Sequence, residues 1–446
     1  MKKLFVCALT LMTVCSLALS QGAATEALQT CVLRVSSYRL DRVSGAIDRF
    51  LRAHPGASVE GLTQLPAGPD NMFVHMRSGE ADIYELDLDC GYFISLRDKG
   101  YLADLSFNEA LLQAVGRMSP QLTGSFLTDG RLYAVPVQLT ATMPGYNPAA
   151  LERLGLSAAD LPVTWSEMLD FAAHWEDVTA DSPETQLFYL APDVRTSLFD
   201  AIMDAQFLRC ESSNEALAFD TPALQALLTR LDALYPAGAP VGDYVYGGNY
   251  LFSLTRDPLP TNQSPTQRPL PLSVEGEDTV IRAKITVWVV NPYSAHIDLA
   301  AELLAEIVSA LPDNLQAAMT PEDGAPIEAA AYATTVAPLR QRIAELEASL
   351  AIADPADRAE LESQLRDCRA QEAAAEAARW AYGSDDIAQY RQLVAPFLTV
   401  STVKLFDHED AAMFSLRQRW LDGQLGTEAF LHELDRMVAM KRMENQ

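Results

Sequence analysis

The sequence predicts an α/β protein with two lobes, and three observations lead to that prediction. Its 446 residues exceed the size at which a single hydrophobic core keeps growing, so two compact units are expected. Hydrophobic residues make up 49% of the chain and charged residues 21%, which is typical of a globular protein. Short β runs alternate with amphipathic helices, and that alternation predicts a mainly parallel sheet covered by helices on both faces.

Residues 1–20 have the pattern of an export signal. Two lysines precede an apolar run, which ends in the small-residue site Ala18-Leu19-Ser20. No later run is apolar enough to cross a bilayer, so the mature chain is expected to be soluble outside the cytoplasm, whether secreted, periplasmic or associated with the cell surface. A lipid-attachment cysteine is followed by polar chain, whereas Cys15 is followed by apolar residues, and a lipid anchor stays an open question.

The first part of the chain alternates strands with helices of 3.6-residue apolar period. Residues 40–51 illustrate this period, because Val43, Ile47 and Phe50 fall on one helical face. Gly100 follows another predicted helix, at a position where the left-handed conformation favours glycine. Strands are predicted at 32–36, 58–65 and 82–86, and helices at 40–51, 72–78 and 92–99.

A crossing region follows. Residues 132–138 form a β run that Pro136 interrupts. Thr164 is expected to cap the next helix, because its hydroxyl accepts hydrogen bonds from first-turn N–H groups. The Glu167 side chain is expected to accept a hydrogen bond from the backbone N–H of Thr164 in return. The strongly β segment 279–290 leads later into a turn and a further helix. Between these strands, helices are predicted at 148–154, 164–174, 194–208 and 222–234, with a polar, proline-rich loop at 256–271.

Residues 337–378 predict an antiparallel helical hairpin. Apolar residues recur at heptad spacing on both sides of a proline turn at Asp354-Pro355. So short a stripe is expected to pack within the chain, and a docking arm for another protein is the alternative. The terminal helices carry Phe414 and Trp420 on apolar faces and are expected to lie in the core.

Several short motifs occur in an order that is typical of one protein family. The order is Gly130-x-x-Tyr133-x-x-Pro136, Tyr146-Asn147, Pro162-x-Thr164-Trp165-x-Glu167 and Asn291-Pro292-Tyr293-Ser294. In this order the chain resembles the extracytoplasmic solute-binding proteins of ABC importers, in particular the large sugar-binding group (family 1, maltose-binding-protein-like). The resemblance implies the type II periplasmic-binding-protein fold, in which hinge strands join two lobes. It places lobe 1 at 27–138 and 284–328, and lobe 2 at 139–283 and 329–446, including the hairpin 337–378.

The same resemblance implies a binding protein and not an enzyme. Such a protein captures a carbohydrate between its lobes and delivers it to the transmembrane subunits of an ABC permease, with no cofactor and no metal ion. A monomer is expected. The net charge of −27 and the lack of a basic patch argue against nucleic acid as a partner. A different solute such as a peptide or polyamine, and a secreted glycoside hydrolase, stay as alternatives.

Enzyme and metal motifs are missing from the sequence. It contains no Gly-x-Ser-x-Gly, no His-Glu-x-x-His and no P-loop, and its six histidines are dispersed. Cys31, Cys90, Cys210 and Cys368 show no zinc-ligand spacing. Buried free thiols are expected, although export permits disulfides and three pairings stay open.

Asp87 and Asp89 are candidate ligand-binding residues at the end of the third predicted strand. Strand ends of a parallel sheet face the ligand crevice, where carboxylates accept hydrogen bonds from sugar hydroxyls. Two carboxylates at this spacing also suit the general acid and base of a glycoside hydrolase.

The family resemblance adds further candidates. They follow the first strand, lie on the crossing strands, or lie in a lobe 2 strand. In that lobe 2 strand the family places an aromatic residue that stacks on the ligand, since sugar C–H patches pack on aromatic faces. Tyr146 and Trp165 are assigned to packing instead. The additional ligand-binding candidates are Tyr38, Arg39, Gln138, Thr140, Tyr250 and Trp288.

Overall fold

The computed structural model describes residues 31–63, 68–180, 182, 184–189, 193–213, 217–238, 249–255, 267–274, 279–320, 325–407 and 410–444. The predicted export signal, Cys15 and most of the predicted loop at 256–271 lie outside the described residues. No helix in the described ranges has the length and apolar character needed to span a membrane.

Strands and helices alternate through most of the chain. The strands are β1 (Cys31–Ser36), β2 (Ala57–Leu62), β3 (Ile83–Asp87), β4 (Leu127–Thr128), β5 (Arg131–Leu132), β6 (Val135–Tyr146), β7 (Gln186–Phe188), β8 (Tyr250–Thr255), β9 (Arg268–Pro269), β10 (Ile281–Val290), β11 (Ile327–Glu328), β12 (Trp380–Tyr382) and β13 (Leu398–Thr399). The helices are α1 (Ser44–Ala53), α2 (Pro69–Ser78), α3 (Phe93–Asp98), α4 (Glu109–Gly116), α5 (Pro120–Thr123), α6 (Pro148–Arg153), α7 (Trp165–Ala173), α8 (Trp175–Val178), α9 (Val194–Ser212), α10 (Pro222–Leu234), α11 (Ile297–Ser309), α12 (Asp313–Met319), α13 (Tyr332–Ile352), α14 (Pro355–Ala377), α15 (Ser384–Leu393), α16 (Ala411–Leu421) and α17 (Thr427–Glu444).

One curved sheet runs through both halves of the molecule in the order β2-β1-β3-β10-β6-β8-β7. The β1–β2, β1–β3 and β7–β8 pairs are parallel, as the alternation of strands and helices predicts. The β3–β10, β10–β6 and β6–β8 pairs are antiparallel. The sheet is therefore mixed and not mainly parallel, because β10 returns to the first half in the opposite direction to β3.

The described residues bury two separate hydrophobic cores. Trp288 and Tyr84 are among the largest side chains of the first core. Phe199 and Trp420 belong to the second core, where their rings stack 4.5 Å apart between centroids. These two cores are the physical basis of the two lobes.

Strand β6 joins the lobes. Its residues 135–142 pair with β10 in the first lobe, and residues 143–146 pair with β8 in the second. The β run predicted at 132–138 is divided, because Leu132 belongs to β5 while residues 135–138 start the longer strand β6, which continues through Pro136. The proline lies opposite Val287, beside a register shift between Thr286 and Val287, and a bulge tolerates a residue that lacks a backbone N–H.

The C-terminal part of the chain differs from the predicted lobe boundaries. All of 329–446 is assigned to lobe 2 by the family pattern, yet Tyr382, Tyr390 and Leu398 pack in the first core. Strand β13 pairs with β10 at its first residues, and this pairing holds residues 380–399 against lobe 1. The chain passes from the second core to the first at the start of β10, which is the second crossing between the lobes. It returns to the second core only at Leu405, so residues 399–405 form a third crossing.

The predicted helical hairpin is present as α13 and α14. The helices run antiparallel, since Arg340 Nε lies 2.9 Å from Glu372 Oε1 and Arg369 Nη2 lies 2.7 Å from Glu347 Oε1. At the base of the two helices, β11 pairs with β12. The hairpin is therefore an insertion closed at its base by a two-stranded ribbon, and α14 begins at the predicted Pro355.

Local signals set the start of the second lobe. Glu167 N donates to Thr164 Oγ1 over 3.1 Å, and Thr164 N donates to Glu167 Oε2 over 3.3 Å. The predicted reciprocal cap of α7 is thus formed. The four cysteines Cys31, Cys90, Cys210 and Cys368 are free thiols, of which Cys210 is buried and the others half-buried.

Candidate functional site

The three central strands present a polar face near the crossing between the lobes. Residues paired directly across neighbouring strands point to the same side of a sheet. Thr286 of β10 pairs with Asp87 on one side and Gln138 on the other. Lys284 and Arg282 continue this face beside Thr140 and Thr142.

A cavity of about 570 Å³ lies between the lobes at the end of this face. The first lobe contributes Asp89, and the crossing strands contribute residues 142–144 and 281–282. The third crossing contributes residues 404–406, while α9 and α16 of the second lobe form the opposite wall. This cavity, called the first cavity below, is bounded by both lobes and by the strands that connect them.

Three ion pairs surround the first cavity. Arg282 Nε lies 2.8 Å from each carboxylate oxygen of Asp204 on α9. Arg417 of α16 donates from Nε to Asp200 Oδ1 over 2.7 Å. Lys404 Nζ lies 3.4 Å from Asp89 Oδ1. Each cationic side chain of the cavity wall therefore has a carboxylate partner, and these charges balance.

The two predicted aspartates differ in environment. Burial raises the pKa of Asp89 above its usual range, although Lys404 and Lys284 pull it down; only 3% of Asp89 is exposed. Burial also acts to raise the pKa of Asp87, but Lys284 and Thr286 outweigh it and the net pKa is lowered. Lys284 Nζ lies 2.8 Å from Asp87 Oδ2, and Thr286 Oγ1 donates to Oδ1 over 2.9 Å.

Buried polar atoms in the first cavity lack hydrogen-bond partners. Asp89 Oδ1 accepts no hydrogen bond from any described residue, since Lys404 approaches it without hydrogen-bond geometry. The indole N–H of Trp165 finds no acceptor within the described part of the chain, although Trp165 is only 3% exposed. A buried polar group without a partner costs about 1–3 kcal/mol, so a polar ligand that reaches these atoms gains affinity.

Aromatic side chains also line the first cavity. Trp165, Phe406 and Phe414 line it. Trp165 does pack in the second core, as predicted, but it also borders the cavity. The prediction that Phe414 lies in the core is wrong, because Phe414 is exposed on the cavity side of α16.

A second cavity of about 370 Å³ lies in the first lobe, between β6, α1 and the end of α11. It brings together four predicted ligand-binding residues. Trp288 is fully buried and contributes only to the floor. The four predicted residues that line this cavity are Arg39, Gln138, Thr140 and Trp288.

A buried carboxylate supports the second cavity. Glu85 forms an ion pair with Arg39 and accepts a hydrogen bond from the Ser37 hydroxyl. Trp288 Nε1 donates to the same carboxylate over 3.4 Å. These partners compensate the charge of Glu85 and fix the orientation of Arg39.

Three candidates line neither cavity, namely Tyr38, Tyr250 and Asp87, whose carboxylate is held by Lys284 and Thr286. Tyr38 is 64% exposed beyond the end of β1. Tyr250 is buried in the second lobe, where its hydroxyl accepts from Gln267 Nε2 over 3.0 Å and its ring lies 4.5 Å from that of Tyr189. Their participation in ligand binding stays a prediction.

Sequence reasoning missed most of the charged residues around the first cavity. A signal for Arg282 exists, because Arg282 and Lys284 interrupt an otherwise apolar strand at two-residue spacing, as expected for one polar strand face. Asp204, Arg417 and Lys404 lie far along the chain from that strand. In the described ranges no group of three or more histidine, cysteine or acidic residues is arranged to hold a metal ion.

Comparison with known proteins finds similarity in structure alone. No family model matches the sequence, and no curated protein matches it. The sugar-binding protein MalE from Xanthomonas citri aligns with a TM-score of 0.56 and 16% identity, covering 92% of this chain and 98% of that one. The GacH receptor of Streptomyces glaucescens aligns at 0.55 and 12%, covering 92% and 97%.

A third structure, an ABC substrate-binding protein from Listeria monocytogenes in complex with cycloalternan, has a TM-score of 0.53 and 13% identity over 92% of this chain and 98% of that one. A family 1 extracellular solute-binding protein from Bifidobacterium longum aligns at 0.52. The resemblance inferred from the sequence motifs is thus confirmed at the level of fold. This chain has the two-lobed α/β fold of the family 1 sugar-binding proteins of ABC importers.

Proposed function

We propose that this protein is an extracytoplasmic solute-binding protein that captures a carbohydrate between its lobes and delivers it to an ABC importer. The observation that carries the proposal is the first cavity, which combines aromatic faces, balanced ion pairs and unpartnered buried polar atoms. Among the proteins with this fold, the Listeria monocytogenes protein is in complex with cycloalternan and the GacH receptor has been solved in complex with acarbose.

The chemistry of the first cavity suits sugar hydroxyls. A hydroxyl both donates and accepts, so it can donate to Asp89 Oδ1, which accepts no hydrogen bond from the described residues, and accept from the edges of the Arg282 and Arg417 guanidinium groups. Phe406 and Phe414 offer faces for the C–H patches of a sugar ring. Because the cations of the wall have carboxylate partners, a neutral polar molecule fits better than a polyamine, which requires an excess of carboxylates.

The three crossings of the chain supply a hinge. A ligand that contacts Asp89 in the first lobe and the α9 wall in the second bridges both cores. Such a ligand binds the closed arrangement more tightly than the open one and shifts the population toward it. No covalent step is required, and the closed form is the species offered to the permease subunits as a monomer outside the cytoplasm.

A panel of sugars tests this proposal. Binding raises the melting temperature, because a ligand that binds only the folded state stabilises it by RT ln(1 + [L]/Kd). We expect at least one neutral or acidic oligosaccharide to raise it, and Asp89→Asn to weaken that binding about tenfold. Asp48→Asn, an exposed change on α1, is the matched control. A panel without any stabilising sugar would contradict the proposal.

Glycoside hydrolysis is the second candidate, and one observation favours it. The pKa of Asp89 is raised and that of Asp87 lowered, which is the pattern of a general acid beside an ionised carboxylate. Against it, both oxygens of Asp87 are engaged by Lys284 and Thr286. Release of reducing ends from an oligosaccharide, abolished by Asp89→Asn, would favour the hydrolase over the binding protein.

A further inference from the structure

We infer that the second cavity binds an acidic unit of the captured saccharide, such as a uronate or a sulfated or phosphorylated sugar, while a neutral unit occupies the first cavity. The inference rests on the proposed carbohydrate capture and adds the ligand class to it. It depends on the position of the second cavity relative to the first, on the charges around it and on its polar atoms.

Both cavities border strand β6. Thr142 lines the first cavity and Thr140 lines the second. Residues two apart on a strand share a face and are roughly 7 Å apart. The neighbouring strand continues the same face, since Arg282 pairs with Thr142 and Lys284 with Thr140. A ligand of two or more linked sugar rings can therefore reach both cavities, whereas a single ring occupies one.

The charges of the two cavities differ. In the first cavity each cation has its carboxylate in the wall. Arg39, Arg42 and Arg49 line the second cavity, and its described lining includes no carboxylate. The charge of Arg39 is neutralised by its ion pair with the buried Glu85, and Arg49 Nε lies 3.2 Å from Glu306 Oε2.

Arg42 supplies the excess positive charge. It has no carboxylate within ion-pair distance among the residues that the structure describes, and it is exposed beside the start of α1. A guanidinium binds carboxylate, sulfate or phosphate through paired, charge-assisted hydrogen bonds.

Gln138 indicates that the anion is carried by a hydroxyl-bearing molecule. Gln138 lines the second cavity, and its buried Oε1 atom accepts no hydrogen bond from the described residues. An inorganic anion without a proton donor cannot satisfy this oxygen, but a sugar hydroxyl can. Asn314 lines the same cavity and adds an amide that both donates and accepts. The combination of a guanidinium and amide groups suits an acidic sugar better than a bare anion.

Matched pairs of saccharides that differ only in charge test the inference. The pairs are digalacturonate with its methyl ester, cellobiouronate with cellobiose, and maltose 6-phosphate with maltose, each titrated by calorimetry into the full chain. For any pair that binds, we expect the acidic member to bind at least tenfold more tightly. We expect Arg42→Gln to remove most of that difference, and added salt to reduce it. Arg52→Gln, an exposed arginine of α1 outside the cavity, is the control.

The outcomes separate this inference from the proposed function. Equal or tighter binding of the neutral members, with Arg42→Gln without effect, would overturn the acidic subsite and leave carbohydrate capture intact. Binding of inorganic sulfate alone with the same dependence on Arg42 would overturn the saccharide assignment of the second cavity. If none of the six saccharides binds, both proposals lose support. Arg49→Gln provides a second variant, for which a smaller loss is expected because Glu306 already pairs with Arg49.

Discussion

Arg282 of β10 and Asp204 of α9 form a two-point contact, in which Arg282 Nε lies 2.8 Å from both carboxylate oxygens. The guanidinium also donates from Nη1 to the carbonyl of Val403 over 3.3 Å. Arg282 thus connects the returning strand, the long helix of the second lobe and the third crossing. This contact holds the wall of the first cavity in place.

Removing the Asp204 carboxylate is expected to destabilise the protein. Asp204→Ala leaves the largely buried Arg282 without its partner, and loss of one member of a buried pair costs about 3 kcal/mol. The measurement is the urea midpoint of unfolding. Glu328→Ala, which breaks the more exposed Arg379–Glu328 pair, is expected to cost less than about 1 kcal/mol. Equal effects of the two changes would show that Arg282 is solvated.

Asp87 and Asp89 are expected to affect stability with opposite signs. The lowered pKa of Asp87 means that its ionised form stabilises the fold, and this stabilisation is lost as pH falls from the ordinary aspartate pKa through the lowered one. Asp87→Asn should therefore cost on the order of 1 kcal/mol at pH 7. The raised pKa of Asp89 means that its ionised form is disfavoured in the fold. Asp89→Asn should leave stability at pH 7 unchanged or raised.

Urea unfolding at pH 7 and about pH 4 measures both effects. The Asp89 difference should shrink at about pH 4, because its carboxyl group then becomes protonated in the fold. The Asp87 difference should largely persist at about pH 4, because its lowered pKa keeps the folded carboxylate ionised until the pH falls below the ordinary aspartate pKa. If Asp89→Asn destabilises the protein at pH 7 as much as Asp87→Asn does, the assigned direction of its pKa is wrong.

Trp165→Phe tests whether the indole N–H serves the ligand. Phenylalanine keeps the aromatic face but removes the donor that lacks a partner among the described residues. We expect ligand affinity to fall about threefold to tenfold. The melting temperature of the ligand-free protein should also fall, because the smaller ring leaves a cavity in the second core. Calorimetric titration with the best sugar of the panel measures the first quantity. A lower melting temperature with unchanged affinity would assign Trp165 to packing alone.

The helical hairpin is expected to be dispensable for ligand capture. Leu346 is 2% exposed, whereas Ile352 on the same helix is 88% exposed. Leu346→Ala should destabilise the hairpin by about 2 kcal/mol or more, which hydrogen exchange in α13 and α14 would detect. Ile352→Ala is the control and should have no effect. Loss of sugar binding in Leu346→Ala would show that the hairpin supports the cleft.

The predictions that depend on local sequence agree with the structure. The Thr164–Glu167 cap and the helix start at Pro355 arise from residues within a few positions of one another, so the sequence pattern suffices to predict them. The mainly parallel sheet was a wrong prediction, because strand direction depends on which strand β10 joins. Residues 380–399 were assigned to the other lobe for a similar reason, since the β13–β10 pair joins distant segments.

The candidate site was predictable only in part. Strand-end and family reasoning selected Asp89, Arg39, Gln138 and Thr140, each of which lines a cavity. It did not divide them between two cavities. The partners of the two charged candidates, Lys404 for Asp89 and Glu85 for Arg39, come from elements distant in sequence, and no local pattern specifies those pairings.

The amino-acid order by itself determined the elements, the caps and the succession of motifs, since these depend on periodicity and on contacts between near neighbours. Tertiary structure alone decided which charges meet across the crossing strands, and hence that the first cavity is balanced while Arg42 is not. The physical reason is that the pKa of a carboxyl group and the availability of a guanidinium depend on burial and on the distance to the nearest opposite charge. Both quantities exist only once the lobes are packed.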